Sequence, residues 1–201
     1  METSNKQIAK QLCQLIEAAH GHALVLFTSY EQMGEVYELL KDALDLPILQ
    51  ARRGSQAVVE QFKQLANGVL LAGGSCWEGI DFPGDLVSLL VIVRLPFPVP
   101  DPVREARREQ YPDLHSYIQA EIVPEMQQKL RQGFGRAIRT ENDSCAVAIL
   151  DPRAALDGRY HQSALDALPD GIPITTKIED IEPFLRAHKS PDYFFPNSEN
   201  H

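Results

Sequence analysis

Residues 8–27 read IAKQLCQLIEAAHGHALVLF, and two periods meet inside them. Ile8, Leu12, Leu15 and Ile16 recur at three- and four-residue spacing, which is the stripe of an amphipathic helix. After Gly21 the run Ala23–Phe27 is apolar at every position, too dense for a strand with one face in solvent, so it reads as a strand buried on both faces. A helix followed by a doubly buried strand is the unit of a parallel α/β sheet. The chain repeats it outward from there: an amphipathic segment at 31–44, a short apolar run at 47–49, a helical stretch around 58–65, and apolar runs at 69–72, 87–93 and 146–150. Four or five buried strands separated by helix-length segments predict an α/β doubly wound, mainly parallel sheet with helices on both faces.

The chain has 201 residues, enough for one domain that buries roughly 70% of its unfolded surface without staples. The expected organisation is a single domain over 1–201, with a leading helix in 1–22, a Pro-rich loop and Arg-rich helical insertion at 95–131, and a flexible tail at 190–201. The insertion opens with LPFPVPDP at 95–102, whose four prolines exclude helix and central strand and require an ordered extended loop. Tyr193, Phe194 and Phe195 sit between prolines in the tail with no periodic pattern to bury them; docking on the domain and docking on something outside the chain are the two placements open to them. The longest apolar run, 86–93, is far shorter than the roughly 20 residues of a membrane span. With no signal-like apolar core behind the first charges, the expectation is a cytoplasmic protein without membrane contact. Cys13, Cys76 and Cys145 are 63 and 69 residues apart, matching neither a disulfide framework nor a metal knuckle; each is expected to be a small buried hydrophobe.

The formal charge is −9, which argues against a generic nucleic-acid coat, because phosphate binding needs a local excess of Lys and Arg. The balance is uneven: residues 1–93 carry −5, residues 94–139 carry +2 and residues 140–201 carry −6. Positive charge thus gathers where the prolines and glycines are. The plain structural reading of that segment is a solvated helix face whose charges pair along the helix.

The chain lacks GxxxxGK[ST], the loop whose backbone, Lys and hydroxyl hold phosphates and Mg²⁺. The nearest approach, Gly74–Gly79 (GSCWEG), continues with Ile80 and Asp81. There is also no GxGxxG, HExxH or acidic Mg²⁺ box, so no complete nucleotide-hydrolysing site is present. Two other motifs carry chemistry. GGSCWEGIDFPGD, residues 73–85, follows the strand VLLA, and in a doubly wound sheet ligands bind at the carboxyl ends of strands. Gly79 there offers close backbone approach and Asp81 a carboxylate for a ribose hydroxyl; a tight turn capped by Asp81 is the alternative. In QGFGRAIR, residues 132–139, a helix would place Gln132, Arg136 and Arg139 on one face, a donor set suited to an anion. A surface pair of arginines bridged to acids is the alternative there.

Together and in this order, the motifs resemble the second motor domain of superfamily 2 DNA helicases of the DinG/XPD type. Ala23–Tyr30 (ALVLFTSY) is similar to the family's motif IV, Gly73–Asp85 to motif V and Gln132–Arg139 to motif VI. LPFPVPDP, ILDPR at 149–153 and Ala-Leu-Pro at 167–169 follow the same style. The resemblance implies a RecA-like domain that closes over ATP and Mg²⁺ held mainly by a first motor domain of the same polypeptide. It implies that Arg139 and Arg136 reach the γ-phosphate as arginine fingers and that Gln132 senses it. Glu78, Gly79 and Asp81, with Gly135, would serve the nucleotide cleft and couple it to DNA. Thr28, Ser29 and Ser75 would touch the backbone of single-stranded DNA during 5′ to 3′ unwinding in repair or replication. The Walker motifs, the arch and the iron–sulfur cysteines of the family are not in this chain, so no cluster is expected here and activity alone is not. Two readings of other classes stand beside this one: a stand-alone single-strand-binding regulatory module, and an α/β enzyme for a phosphorylated small molecule. Against the enzyme, Cys76 has no His near it in sequence, and His161 and His188 fall in segments without a motif.

Overall fold

The computed structural model describes residues 4–53, 55–74, 80–135 and 144–195. Ser4 starts the first helix, α1 (Asn5–Ala18), with a capping box: its hydroxyl accepts the Gln7 N–H while the Gln7 side chain accepts the Ser4 N–H. Strand β1 (Ala23–Phe27) follows, then α2 (Tyr30–Lys41), β2 (Ile48–Ala51), α3 (Gln56–Lys63), β3 (Val69–Gly73) and β4 (Leu89–Ile92). After the Pro-rich loop come α4 (Pro102–Arg108), α5 (Leu114–Tyr117), α6 (Val123–Phe134), β5 (Ala146–Ile149), α7 (His161–Leu165), α8 (Ile181–His188) and α9 (Pro191–Phe194).

The described strands form one all-parallel sheet in the order β2-β3-β1-β4-β5. The apolar density of the strands follows from this arrangement, because successive side chains serve two separate cores. Ala23, Val25 and Phe27 face a layer made by α1, α2 and α8, with Leu12, Ile16, Met33, Leu40 and Leu185 inside it. Leu24 and Leu26 face the opposite layer, with Phe62 of α3 and Met126, Leu130 and Phe134 of α6. Each of the Val, Leu, Ile, Met and Phe side chains among them contributes roughly 1.5–3 kcal/mol by leaving water, so both faces of the sheet must be covered for the fold to stand.

α5 and α6 join through a π-helical turn, Ile118–Ile122. Pro124 has no N–H to give to the carbonyl four residues back and its ring crowds that position, so the wider i→i+5 bond from Val123 to Ile118 takes over just before it.

Two findings differ from the sequence expectations. Of the tail expected to be flexible over 190–201, the part through residue 194 is docked on the domain, one of the two placements open to its aromatic residues, with Tyr193 and Phe194 buried; residues 196–201 lie outside the described residues. Tyr193 stacks on His22 with ring centroids 4.0 Å apart, its hydroxyl donates to the Ala19 carbonyl at 2.7 Å, and its own carbonyl accepts from His22 Nε2 at 3.2 Å. Burial pushes the His22 imidazole below its usual pKa, keeping it neutral, and pushes the Tyr193 phenol up. His22 can take this place because His20, Gly21 and His22 all have positive φ, turning the chain between α1 and β1. Gly21 is obligatory there, since a Cβ would lie 2.0 Å from the Asn67 carbonyl oxygen. Just before the tail, the almost fully buried Lys189 side chain pairs with Asp85, the last residue of the Gly-rich segment. The second difference is smaller: Cys13 and Cys145 are half-buried rather than buried, with burial and then Glu17 pushing the Cys13 thiol up.

Candidate functional site

The carboxyl ends of the strands make one rim, and the pairing register orders it. Phe27 lies opposite Gly73, and Ala51 opposite Ala72. Thr28 therefore follows β1 at the level of Gly74, while Arg52 follows β2 at the level of Gly73. On the other side of β1, Ile92 lies opposite both Leu26 and Ile149, which brings Arg94 and Asp151 to the same edge. Thr28 and Ser29, two of the expected backbone-contacting residues, are exposed at the centre of the rim. Ser29 is also the N-cap of α2, its hydroxyl accepting the Gln32 N–H at 3.2 Å while keeping its own proton to donate. Gly74, which precedes Ser75, has φ +57° and passes so close to Tyr30 that a Cβ would lie 2.3 Å from the phenol oxygen. Glycine is thus required where the strand turns into the Gly-rich segment. Asp81 is exposed; Ser75, Glu78 and Gly79 lie outside the described residues.

Sequence reasoning passed over the residues at the end of β2. The Arg52 guanidinium sits over the Tyr30 ring, 6.0 Å from its centroid, and its backbone N–H donates to Ser55 Oγ at 2.9 Å. Both Arg52 and Arg53 are exposed, and among the described residues neither has a carboxylate partner. Two adjacent arginines directly after an apolar run were the available signal; strand order is what gives them a location.

The other end of the rim is locked by Asp151. Its side chain is wholly buried and accepts the Leu95 N–H at 2.9 Å, the Arg153 N–H at 3.0 Å and the Arg153 guanidinium at 2.6 Å. Burial alone would raise this carboxyl; the donors from Arg153 and Leu95 outweigh it and hold the group below the ordinary carboxylate value. The Arg153 guanidinium in turn covers the Phe97 ring at 4.7 Å. Asp151 thereby fixes the point at which the Pro-rich loop leaves β4, which explains how a loop with so few backbone donors stays ordered.

That loop ends at Asp101, which caps α4 by accepting the N–H groups of Val103 and Arg104, with Pro102 preorganised at the first helical position. The arginines of α4 pair, but mainly between helices rather than along one. Arg104 grips Glu125 of α6 with both terminal nitrogens at 2.7 Å and reaches Asp101 at 3.0 Å. Arg107 lies 3.4 Å from Glu121, and Arg108 lies 3.5 Å from Glu105 three residues earlier. The positive segment at 94–139 is therefore largely neutralised within the fold at α4.

Gln132 lies in the last turn of α6 and is half-buried; Gly135 caps that helix with ordinary right-handed φ, and a Cβ there would meet only normal contacts. Nothing in the described structure requires glycine at 135. Arg136 and Arg139 lie outside the described residues, and with them the question of a shared helix face. Among the described residues no group of three or more His, Cys, Asp or Glu is placed to hold a metal. No described helix is long and apolar enough to cross a membrane. His161 and His188, the histidines set aside above, bond to backbone carbonyls of Ala154 and Phe184.

The sheet order, the two helical layers and the glycine turn at the rim define a RecA-like domain. A solved structure of an XPD helicase matches 83% of the chain with a TM-score of 0.63 and 26% identity, the match covering 32% of that protein. Residues 12–171 match the helicase C-terminal domain family, and the chain belongs to it. Among relatives, the ATP-dependent DNA helicase YoaA of Escherichia coli is 34% identical over 188 residues, spanning 90% of this chain and 29% of that protein. The 3′-5′ exonuclease DinG of Bacillus subtilis is 33% identical over 174 residues, 83% of this chain and 19% of that protein. The chain thus spans less than a third of the length of the relatives it matches.

Proposed function

We propose that this chain is the second motor domain of a DinG-like ATP-dependent DNA helicase, a single RecA-like unit over 1–201 that works against a first motor domain in the same polypeptide. The observation that carries the reading is the family match across residues 12–171, with the three motif blocks falling in the family's order. In this reading ATP and its Mg²⁺ are held mainly by the first domain. Arg139 and Arg136 place guanidiniums against the γ-phosphate and neutralise charge that grows there during transfer, while Gln132 at the end of α6 contacts the same group. Glu78, Gly79, Asp81 and Gly135 line the cleft. Thr28, Ser29 and Ser75 hold the backbone of single-stranded DNA through hydroxyl and N–H donors, and stepping runs 5′ to 3′. The position of Thr28 and Ser29 beside Gly74 on one rim supports the DNA assignment, because two neutral donors at the end of β1 then stand next to the start of the Gly-rich segment.

The test is Arg139→Ala in the complete polypeptide. A finger acts on the transition state, so DNA-stimulated ATP hydrolysis should fall by roughly 10³–10⁵-fold while ATP affinity changes little. Hydrolysis within a few-fold of wild type would remove the finger assignment.

A further inference from the structure

β3 and β4 flank β1 and run parallel to it. The Gly-rich segment that joins them therefore crosses over β1, from the carboxyl rim down to the amino-terminal edge of the sheet. Its described end is held at two points. Phe82 is buried in the layer of α3 and α6, edge-on to Phe62 with ring centroids 5.8 Å apart. Beyond it, Pro83 and Gly84, the latter with φ +61°, turn the chain so that the Asp85 carboxylate meets the Lys189 ammonium at 2.5 Å. We infer that Lys189 is a positioning residue for ATP turnover: through Asp85 it holds residues 80–85, and with them Asp81, in the arrangement that lets DNA stimulate hydrolysis. The inference rests on the helicase reading above and adds to it a residue from the far end of the chain.

The two partners are unequal. The Lys189 side chain is 3% exposed and that of Asp85 53%. An ammonium is costly to bury, and an unbranched apolar side chain would fill the same seat without that cost, so the charge does more than fill space. Nor can the ammonium follow the carboxylate about. Lys189 caps α8, its N–H donating to the Leu185 carbonyl at 2.8 Å, and Leu185 is wholly buried in the layer of α1 and α2. The Lys189 ammonium also lies 5.9 Å from the centre of the Tyr193 ring, which is itself stacked on His22. The core thus fixes the cation, and Asp85, on its glycine turn, comes to it. The Ser88 hydroxyl steadies the same residue by donating to the Asp85 carbonyl at 3.0 Å. An anchor at Phe82 alone would let the backbone pivot about that ring. A second anchor beyond the turn fixes the direction of the stretch and so of Asp81, the exposed neighbour of Phe82. Because α8 and Phe82 belong to opposite layers, the ion pair also ties those layers together around the edge of the sheet.

The experiment uses the complete polypeptide and measures ATP hydrolysis with and without saturating oligothymidylate, alongside the melting midpoint of each variant. Lys189→Met fills the seat and leaves Asp85 in contact with water. Its DNA-stimulated kcat should fall about tenfold, the scale expected when a group near a reacting centre is misplaced, while KM for ATP and the unstimulated rate stay near wild type. Lys189→Arg should recover most of the stimulated rate. Asp85→Asn, half in water and still offering the ammonium an acceptor, should lower the same rate and decides the matter if Lys189→Met does not fold. Combined, the two changes should be no worse than Lys189→Met alone, as expected for one shared interaction. Tyr193→Phe is the control, since it removes the hydroxyl bond to Ala19 from the same seam but keeps the ring and the ion pair; its stimulated rate should match wild type. If Tyr193→Phe loses as much as Lys189→Met, or if the Lys189 and Asp85 variants keep wild-type stimulation, the inference is overturned while the helicase reading stands. If wild type itself is not stimulated by DNA, the helicase reading falls, and the inference with it.

Discussion

Arg52–Arg53 and the arginines of α4 are the same chemical groups in two opposite conditions. In α4 the side chains reach sideways to carboxylates on their own or neighbouring helices, and Arg104 is clamped by Glu125 in fork geometry. At the end of β2 the guanidinium rests on an aromatic ring and meets no carboxylate among the described residues. A local count of positive charge points to α4; a count of charge left available to a ligand points to the rim. The difference teaches that charge density along a sequence locates a binding surface only after internal pairing has been subtracted.

The largest test of the paired class is Asp151→Ala. It leaves the Leu95 N–H without its acceptor and Arg153 without its counter-ion, so unfolding by urea should show a loss of about 2–4 kcal/mol. The pH dependence follows from the same group. Its carboxyl titrates lower in the fold than in the unfolded chain, so its contribution is complete above the unfolded value of about 4 and is lost as pH falls from there through the lower value of the folded state. The variant should accordingly lose less stability than wild type on acidification below about pH 4; an unchanged acid limb would place that sensitivity elsewhere. Arg104→Ala comes next, with a loss of about 1 kcal/mol, because the fork to Glu125 is strong but partly solvated. Its single-strand salt slope should match wild type. Arg107→Ala with Arg108→Ala should be the smallest in stability, with no measurable shift of the melting midpoint, since exposed pairs add little. Their effect on the salt dependence of single-stranded DNA binding decides whether the comparison holds: a fall in slope as large as that of Arg52→Ala with Arg53→Ala would mean that pairing in α4 does not withhold charge from DNA.

Much of this was legible in the sequence. Runs such as ALVLF and VLLA are apolar at every position because alternate side chains enter two cores, and that signal survives without any knowledge of contacts. The order of the motif blocks gave the family for a similar reason, each being local in sequence. Strand order was not local: Arg52 lies near Gly74 only because β2 pairs with β3, and no periodicity encodes that neighbour. The seat of the tail is hidden on the same ground. Tyr193 is buried against His22, 171 residues earlier, so a pattern search confined to its surroundings finds nothing to bury it. Gln132 fell on a helix as expected, while Gly135 adopts a backbone that any residue could share.

The clasp between Lys189 and Asp85, and between Tyr193 and the turn at His20–His22, also bears on the order of events during synthesis. A ribosome delivers α1, β1 and the Gly-rich segment early, but their last fastenings arrive only with residues 189–194. Until then the buried seat of Tyr193 is open and Asp85 lacks its ammonium partner. Contacts of such sequence separation form late, since a long loop must close before they stabilise anything. The turn at residues 20–22 and the stretch 189–194 therefore complete one another, and a nascent chain released before residue 194 would leave that seam unsealed.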